Sequence, residues 1–342
     1  MEDILFIGPI ATTGGPAIKN RILLDHLQKK TSIKAWNTYN KSVKARVGAI
    51  AHILFAKQKY IIIAVSRKGR NLLYPFLRIK AKISGCQYCC IVIGGKAVES
   101  FTNKSSIKAL HAADIVTVET EGLKLQLENA FNLNNVYLMP NYKELDQSIK
   151  TVTEDSFQTL PMRMIFLSSM RNLKGIKTLI TAFKKCRENG LKIELDFYGP
   201  IKDDFDKSLL NVIEQTEGLR YCGEVKNNEV LDIMSGYNIF VFPTEHPHEG
   251  FPAVLVEGMS VGLPVIASNI NYNGEIVKDS INGFIFPYGD ASRLAEIIQY
   301  GFEHREELIE ISKRNILSAK QYNAATVIDA FADELKKVGW PV

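Results

Sequence analysis

The sequence predicts an α/β protein of two doubly wound, Rossmann-like domains that face each other across a cleft. Short apolar runs alternate with amphipathic helical segments in both halves of the chain, a pattern typical of parallel sheets covered by helices on both faces. The chain has 342 residues, which is enough for two domains with a hydrophobic core each. Ligands of such domains bind beyond the carboxyl ends of the strands.

Five apolar runs in the first half are predicted as strands, at 4–8, 60–65, 88–93, 114–118 and 136–139. Gly14 and Gly15 follow the first run and precede an amphipathic helix that ends near Lys30. Glycines at such a turn let a ligand approach the backbone closely. The strict G-x-G-x-x-G pattern is absent, which disfavours a nicotinamide dehydrogenase. The N-terminal domain is predicted over residues 1–155.

The second half repeats the alternation after a polar stretch at 151–161, which is predicted as a linker. The second domain is predicted over residues 160–320. Its predicted strands are 164–168, 193–198, 220–222, 239–242, 264–267 and 283–286. Its predicted helices are 176–188, 204–217, 229–235 and 253–260, followed by a helical tail over 291–338.

The two halves differ in charge. Through Lys150 there are 22 Lys and Arg against 10 Asp and Glu, and from Thr151 there are 20 against 27, which gives +12 and −7. A basic first half predicts contact with an anionic membrane surface or an anionic acceptor, and an ordinary solvated basic face is the alternative. No nucleic-acid-binding signature accompanies the charge, so nucleic acid is not expected as a partner. The basic residues concerned are Lys29, Lys30, Lys34, Lys41, Lys44, Arg46, Lys57, Lys59, Arg67, Lys68 and Arg70.

Composition indicates a globular protein of the cytoplasm. Apolar residues make up 46% of the chain and charged residues 23%, which is ordinary for soluble domains. The first residues include Glu2 and Asp3 where a signal peptide needs basic ones, and no apolar run is long enough to span a bilayer. Five scattered cysteines fit a reduced compartment. The C-x-x-C pair Cys86 and Cys89 lies in a strand-like run and is interpreted as core.

The most informative segment carries Glu249 and Glu257, eight positions apart. Gly250-Phe251-Pro252 follows the first glutamate, and an apolar helical run carries the second. Eight residues of helix cover about 12 Å, close to the distance from the ribose of a nucleotide sugar to the sugar beyond its diphosphate. The start of the helix presents free backbone N–H groups, which suit a diphosphate.

With its preceding strand at 238–243 and the turn at 262–264, this segment resembles the donor-binding signature of the family-four retaining glycosyltransferases of GT-B architecture. The resemblance covers nearly the whole chain. It implies that Glu257 binds the ribose hydroxyls, while Glu249 and the backbone of Gly250, Phe251 and Pro252 face the transferred sugar. It also implies that a C-terminal helix at about 321–342 packs back on the first domain.

The same resemblance assigns further donor contacts. Arg171 and Lys174 correspond to the cations that clamp the donor phosphates, although the usual Arg position, five before the lysine, is Ser169 here. Val225 corresponds to a residue whose main chain contacts the base. Gly14 and Gly15 correspond to the loop of the first domain that faces the donor. Lys174 and Glu249 are the candidate catalytic residues.

Two departures limit what the resemblance implies. Many relatives carry a histidine near the sugar in the first domain, whereas this chain has Ile93-Gly94-Gly95-Lys96 at the comparable strand end. The D-x-D of Asp204 and Asp206 follows a strand in a polar loop where aspartate favours a helix start, so no metal and no cofactor are expected.

The expected activity is therefore transfer of a sugar, with retention, from a nucleoside diphosphate sugar to a lipid-linked or polysaccharide acceptor at the cytosolic face of a membrane. A sugar-nucleotide epimerase of the same fold and a non-catalytic subunit of a glycosyltransferase complex remain alternatives.

Overall fold

The fold is described by a computed structural model that covers residues 3–40, 43–145 and 148–342. Lys41 and the side chains of Lys44 and Arg46, which belong to the predicted basic cluster, lie outside the described part. The chain divides into two compact units. Unit 1 comprises the described residues up to Glu144, His248–Phe251 and Tyr322–Val342. Unit 2 comprises the described residues of Leu145–Pro247, together with Pro252–Gln321.

Unit 1 is built on a parallel six-stranded sheet with the strand order β2-β1-β3-β4-β5-β6. From β1, the chain adds β2 on one side and the strands from β3 onward on the other, so the topological switch point of the sheet lies between β1 and β3. Its elements before Glu144 are β1 Ile4–Gly8, α1 Gly15–Gln28, β2 Ile33–Asn37, α2 Val43–Phe55, β3 Tyr60–Ala64, α3 Arg67–Ser84, β4 Gln87–Ile91, α4 Lys104–His111, β5 Ile115–Val118, α5 Glu121–Phe131 and β6 Val136–Leu138.

The edge strand β2 was absent from the sequence-based prediction. Only Ile33 of its five residues is buried, because the strand lies at the edge of the sheet and is largely exposed. The pattern therefore lacks the continuous apolar run that identifies the buried strands β1 and β3, in which all five residues are buried.

Unit 2 is also built on a parallel six-stranded sheet, with the order β12-β11-β10-β7-β8-β9. Its switch point lies between β7 and β10. Its elements are α6 Glu154–Gln158, β7 Met162–Leu167, α7 Ile176–Glu188, β8 Ile193–Tyr198, α8 Ser208–Gln215, β9 Leu219–Gly223, α9 Val230–Met234, β10 Ile239–Phe242, α10 Ala253–Ser260, β11 Val265–Asn269, α11 Asn273–Ile276, β12 Gly283–Pro287, α12 Ala291–Glu303 and α13 Arg305–Ala319. Two doubly wound α/β units confirm the predicted fold class.

The stretch predicted as a linker, 151–161, belongs instead to unit 2. Val152 donates its backbone N–H to the carbonyl oxygen of Val261 at 2.8 Å, and Phe157 of α6 is buried. Arg305 donates to the carbonyl oxygen of Phe157 at 2.9 Å. The stretch is polar because α6 is short and only Phe157 faces the core, so its sequence resembles that of a linker.

The last helix, α14 Ala324–Lys337, completes unit 1. It packs against α1, and its apolar face joins the core formed by the strands of unit 1. Lys30 of α1 forms a 2.8 Å ion pair with Asp329 of α14. Within the described ranges, no helix has the length and apolar character needed to cross a bilayer.

Candidate functional site

The switch point of unit 2 brings together the loops that follow β7 and β10. Glu245 donates its backbone N–H to the carbonyl oxygen of Leu173 at 2.9 Å, and Thr178 of α7 donates its hydroxyl to the Glu245 carboxylate at 2.6 Å. A Cβ atom on Gly175, at φ +70°, would collide with the carbonyl oxygen of Pro243. Glycine is therefore required here, because the two loops approach backbone to backbone.

Lys174 lies in this pair of loops and is partly buried. Its Nζ atom is 5.7 Å from the ring centroid of Phe242, the last residue of β10. Burial, followed by repulsion from the nearby charge of Arg171, lowers the pKa of Lys174 to about 8. Burial removes part of the water that stabilises the charged ammonium group, so a bound anion stabilises the charged form strongly.

Arg171 and the D-x-D carboxylates interact with residues of their own unit. The Arg171 guanidinium donates to Asp204 at 3.3 Å, and both side chains are about half exposed. Asp206 accepts hydrogen bonds from the backbone N–H and the hydroxyl of Ser208, the first residue of α8. The described residues contain no cluster of three or more His, Cys, Asp or Glu that could hold a metal ion.

Helix α10 follows the loop after β10 and carries Glu257. Pro252 is the residue before its first turn, with an extended backbone (φ −68°, ψ 112°). Glu257 is 7% exposed, which is unusual for a carboxylate on a helix. A Cβ atom on Gly258 would lie 2.9 Å from the ring of Phe240, so glycine lets α10 pack closely on β10.

Val225 is partly buried and lies two residues beyond the end of β9. The loops that follow β7, β8 and β9 are linked, because Met170 donates its N–H to Pro200 at 2.9 Å and Gly199 donates to Gly223 at 2.8 Å. Since β9 is two strands from β7, the loops at their ends are about 10 Å apart.

The switch point of unit 1 lies at the ends of β1 and β3. Asn20 of α1 is buried and donates to the carbonyl oxygens of Pro9 (3.0 Å) and Ala64 (3.1 Å), which ties these two strand ends together. Gly14 has φ +83° and is exposed, and a Cβ atom there would meet open space. Gly15 is also exposed and is the first residue of α1.

Two cavities open at this switch point, and they share Pro9, Pro16, Val65 and Ser66 in their walls. The smaller, of about 270 Å³, is also lined by Arg67, Arg70, Lys96 and His248. The larger, of about 510 Å³, is also lined by Gly14, Tyr39, Lys68 and Leu72. None of the described residues that line either cavity is an aspartate or a glutamate.

The segment His248–Phe251 belongs to unit 1 and rests on the turn after β4. A Cβ atom on Gly95 would collide with the carbonyl oxygen of Glu249. A Cβ atom on Gly250 would lie 3.1 Å from Cα of Gly94 and 2.9 Å from the Glu119 carboxylate. Asn141 donates to the carbonyl oxygen of Phe251 at 3.0 Å. The backbone of this segment is therefore enclosed by close contacts.

Beneath the segment lies a buried ion pair that the sequence-based prediction did not include. Lys19 Nζ is 2.8 Å from the Glu119 carboxylate, and both side chains are about 5% exposed. The other carboxylate oxygen of Glu119 accepts the backbone N–H of Gly94 at 3.1 Å. A lysine among the core-facing residues of α1 and a glutamate directly after a buried strand are the sequence signals for this pair.

The predicted site residues thus form two groups. Unit 2 holds Arg171, Lys174, Val225, Pro252 and Glu257, all in loops or at a helix beyond the carboxyl ends of strands. Unit 1 holds Gly14, Gly15, Glu249, Gly250 and Phe251.

Known proteins resemble this chain over one unit or over both. Residues 154–318, most of unit 2, match the family model described as glycosyl transferases group 1. The GtfA subunit of the UDP-N-acetylglucosamine–peptide N-acetylglucosaminyltransferase of Streptococcus gordonii is 26% identical over 255 residues, which are 70% of this chain and 46% of that protein. The amylovoran biosynthesis glycosyltransferase AmsK of Erwinia amylovora is 26% identical over 145 residues, 40% of this chain and 35% of that protein.

The chain therefore spans less than half the length of these two relatives. Among solved structures, Anabaena HepE in complex with UDP is similar over 98% of this chain and 99% of that chain, with a TM-score of 0.78 and 16% identity. The chain has the GT-B fold, and within it residues 154–318 resemble the glycosyl transferases group 1 family.

Proposed function

We propose that this protein is a retaining glycosyltransferase of polysaccharide biosynthesis. It transfers a sugar from a nucleoside diphosphate sugar to a lipid-linked or saccharide acceptor, at the cytoplasmic face of a membrane. The observation that carries the proposal is Lys174, a partly buried cation with a lowered pKa at the switch point of unit 2. An anionic ligand at this position would make charge-assisted hydrogen bonds to the ammonium group.

In this proposal, the donor binds beyond the carboxyl ends of the unit 2 strands. Lys174, with Arg171 beside it, binds the diphosphate. Glu257 on α10 accepts hydrogen bonds from the ribose hydroxyls, and the main chain of Val225 contacts the base. Glu257 lies on the helix that follows β10, and ligands of doubly wound domains bind beyond the carboxyl ends of such strands.

Glu249 faces the transferred sugar, with the backbone of Gly250, Phe251 and Pro252. Cleavage of the donor gives the sugar oxocarbenium character and leaves negative charge on the departing diphosphate. Lys174 and the backbone N–H groups at the start of α10 stabilise that charge. No metal ion or cofactor takes part in the proposed reaction.

The acceptor binds at the switch point of unit 1. Both cavities there have cations and no described carboxylate in their walls, with Arg67 and Lys96 lining one and Lys68 the other. This charge favours an acceptor that carries negative groups. HepE was solved with UDP, and GtfA is named for UDP-N-acetylglucosamine. UDP-sugars are therefore the first donors to test.

Replacing each glutamate in turn tests which end of the donor it contacts. Glu257→Ala removes a contact made before and during the reaction, so it raises KM for the donor and weakens binding of the nucleoside diphosphate. Glu249→Ala removes a contact at the reacting sugar, so it lowers kcat while the nucleoside diphosphate still binds nearly normally. Steady-state kinetics and calorimetric titration with the nucleoside diphosphate measure both effects.

Glu296→Ala, which removes an exposed carboxylate of α12 in the same unit, is the matched control and leaves both quantities unchanged. Loss of nucleotide binding in Glu249→Ala with normal binding in Glu257→Ala would show that the two ends are reversed. Wild-type behaviour of both variants would refute the proposal.

The same assays test the rest of the proposal. Transfer persists in excess EDTA, and rescue of an EDTA-inactivated enzyme by Mg²⁺ or Mn²⁺ would contradict the metal-free reaction. Isomerisation of the donor without any acceptor would instead identify an epimerase. Nucleotide binding without turnover of any donor would identify a non-catalytic subunit.

A further inference from the structure

The Lys19–Glu119 pair connects three segments of unit 1. Lys19 belongs to α1, and Glu119 directly follows β5. One carboxylate oxygen of Glu119 contacts Lys19 Nζ at 2.8 Å, and the other accepts the N–H of Gly94 at 3.1 Å. Gly250 lies over the same carboxylate, because a Cβ atom there would be 2.9 Å from it.

A contribution to the stability of the fold does not by itself explain this buried ion pair. Removing two charges from water is costly, and well-packed apolar residues often serve the stability of a core equally well. Lys19 is held in place on a second side, since its Nζ atom lies 5.1 Å from the ring centroid of Tyr142. The Tyr142 hydroxyl donates to the carbonyl oxygen of Lys19 at 3.0 Å. These contacts fix the carboxylate of Glu119 with one oxygen directed at Gly94.

We infer that Lys19 and Glu119 are positioning residues for the reaction, because they hold the Gly94–Gly95 turn on which the backbone of Glu249 and Gly250 rests. This inference rests on the proposed function, in which Glu249 faces the transferred sugar. The ionised carboxylate makes a charge-assisted bond to Gly94, and Gly95 contacts the Glu249 carbonyl with no room for a side chain. A displacement of about 1 Å at a reacting group can reduce the rate about 100-fold.

Glu119→Gln keeps the shape of the side chain but removes its charge. We expect kcat to fall about 10- to 100-fold, while KM for the donor and the Kd of the nucleoside diphosphate change less than about threefold, because the proposed nucleotide contacts lie in unit 2. Amide hydrogen exchange becomes faster at Gly94 and in a peptide over 246–253.

The double variant Lys19→Met/Glu119→Gln distinguishes positioning from folding. It removes the buried Lys19 charge that Glu119→Gln leaves opposite a neutral amide, so its Tm rises above that of Glu119→Gln, while kcat stays low and exchange over 246–253 stays fast. Recovery of kcat together with Tm would show that the pair is only structural.

Asp114→Asn is the matched control. Asp114 lies directly before β5, whereas Glu119 lies directly after it. It accepts hydrogen bonds from Trp340 at 2.7 Å and from Gln87 at 3.0 Å. This variant lowers Tm and leaves kcat and exchange over 246–253 unchanged.

Unchanged exchange over 246–253 in Glu119→Gln overturns the inference, whether or not the wild type is active. A wild type that turns over no donor, with faster exchange in Glu119→Gln, would instead refute the proposed function and leave the positioning contact established.

Discussion

The charge of Lys174 changes with pH in the range in which enzymes are assayed. Burial and the neighbouring Arg171 lower its pKa to about 8, so the ammonium is mostly charged at pH 7 and mostly neutral at pH 9.5. Only the charged form makes a charge-assisted bond to a phosphate. Affinity for a nucleoside diphosphate therefore falls as pH rises through 8.

We expect the nucleoside diphosphate to bind the wild type up to about 30-fold more weakly at pH 9.5 than at pH 7. Lys174→Ala weakens binding at pH 7 by about 1.5–3 kcal/mol and removes most of this pH dependence. Calorimetric titration at the two pH values measures both effects.

Lys184→Ala removes an exposed lysine of α7 and keeps both the affinity and its pH dependence. An unchanged pH profile in Lys174→Ala would remove Lys174 from the phosphate site.

At the scale of elements, the sequences of helices α2 and α3 contain no acidic residue. No Asp or Glu occurs from His26 to Val98, whereas 15 Lys and Arg do. The outer face of α3 carries Leu72, Phe76, Ile79 and Ile83 at helical spacing, and all but the partly buried Phe76 are exposed. Lys80 of α3 donates to the carbonyl oxygen of Ala56, beyond α2, at 2.8 Å. An apolar stripe with basic flanks is typical of helices that lie on anionic membranes.

We expect the protein to bind anionic vesicles more tightly than neutral ones, and less tightly at high salt, because exposed charges attract over a Debye length of about 8 Å at physiological salt. Ile79→Ser/Ile83→Ser weakens this binding. Sedimentation with vesicles measures it.

Leu317→Ser removes an apolar side chain of α13 that is 64% exposed, so it controls for a general loss of surface apolarity and leaves vesicle binding unchanged. Equal binding of the wild type to anionic and neutral vesicles would favour an ordinary solvated basic face.

At the scale of the molecule, unit 1 joins residues from distant parts of the chain. Phe331 of α14 is fully buried in the core that the unit 1 strands form, and its ring lies 6.4 Å from that of Tyr137. The Tyr60 hydroxyl donates to the carbonyl oxygen of Gly339 at 3.1 Å. Folding of unit 1 therefore depends on the C-terminal residues.

Phe331→Ala is expected to destabilise unit 1 by about 3–5 kcal/mol through the cavity it leaves. Hydrogen exchange in urea should show lost protection in β1 and β3 and unchanged protection in β10 and β11. Lys336→Ala, on the exposed face of α14, is the control with normal protection. Equal loss in both units would contradict this division of the core.

Some features of the fold and the candidate site could be predicted from local patterns. Buried parallel strands are continuous apolar runs, so β1, β3 and β10 are recognisable in the sequence. Lys174-Gly175 after β7 and Glu257 on α10 were predicted as donor contacts from the resemblance to the donor-binding signature, and these roles stay predictions. The edge strand β2 and helix α6 were missed because each buries a single apolar side chain.

The sequence by itself determined the two parallel α/β units and the types of residue at their strand ends, because periodicity and turn chemistry act over a few residues. Only the tertiary structure decided that Glu249 and Gly250 rest on Gly94 and Gly95, above the Lys19–Glu119 pair. These residues are far apart in the chain, and their contacts depend on the close approach of two backbones and on the burial of a charge. Both are properties of packing, and no local pattern encodes them.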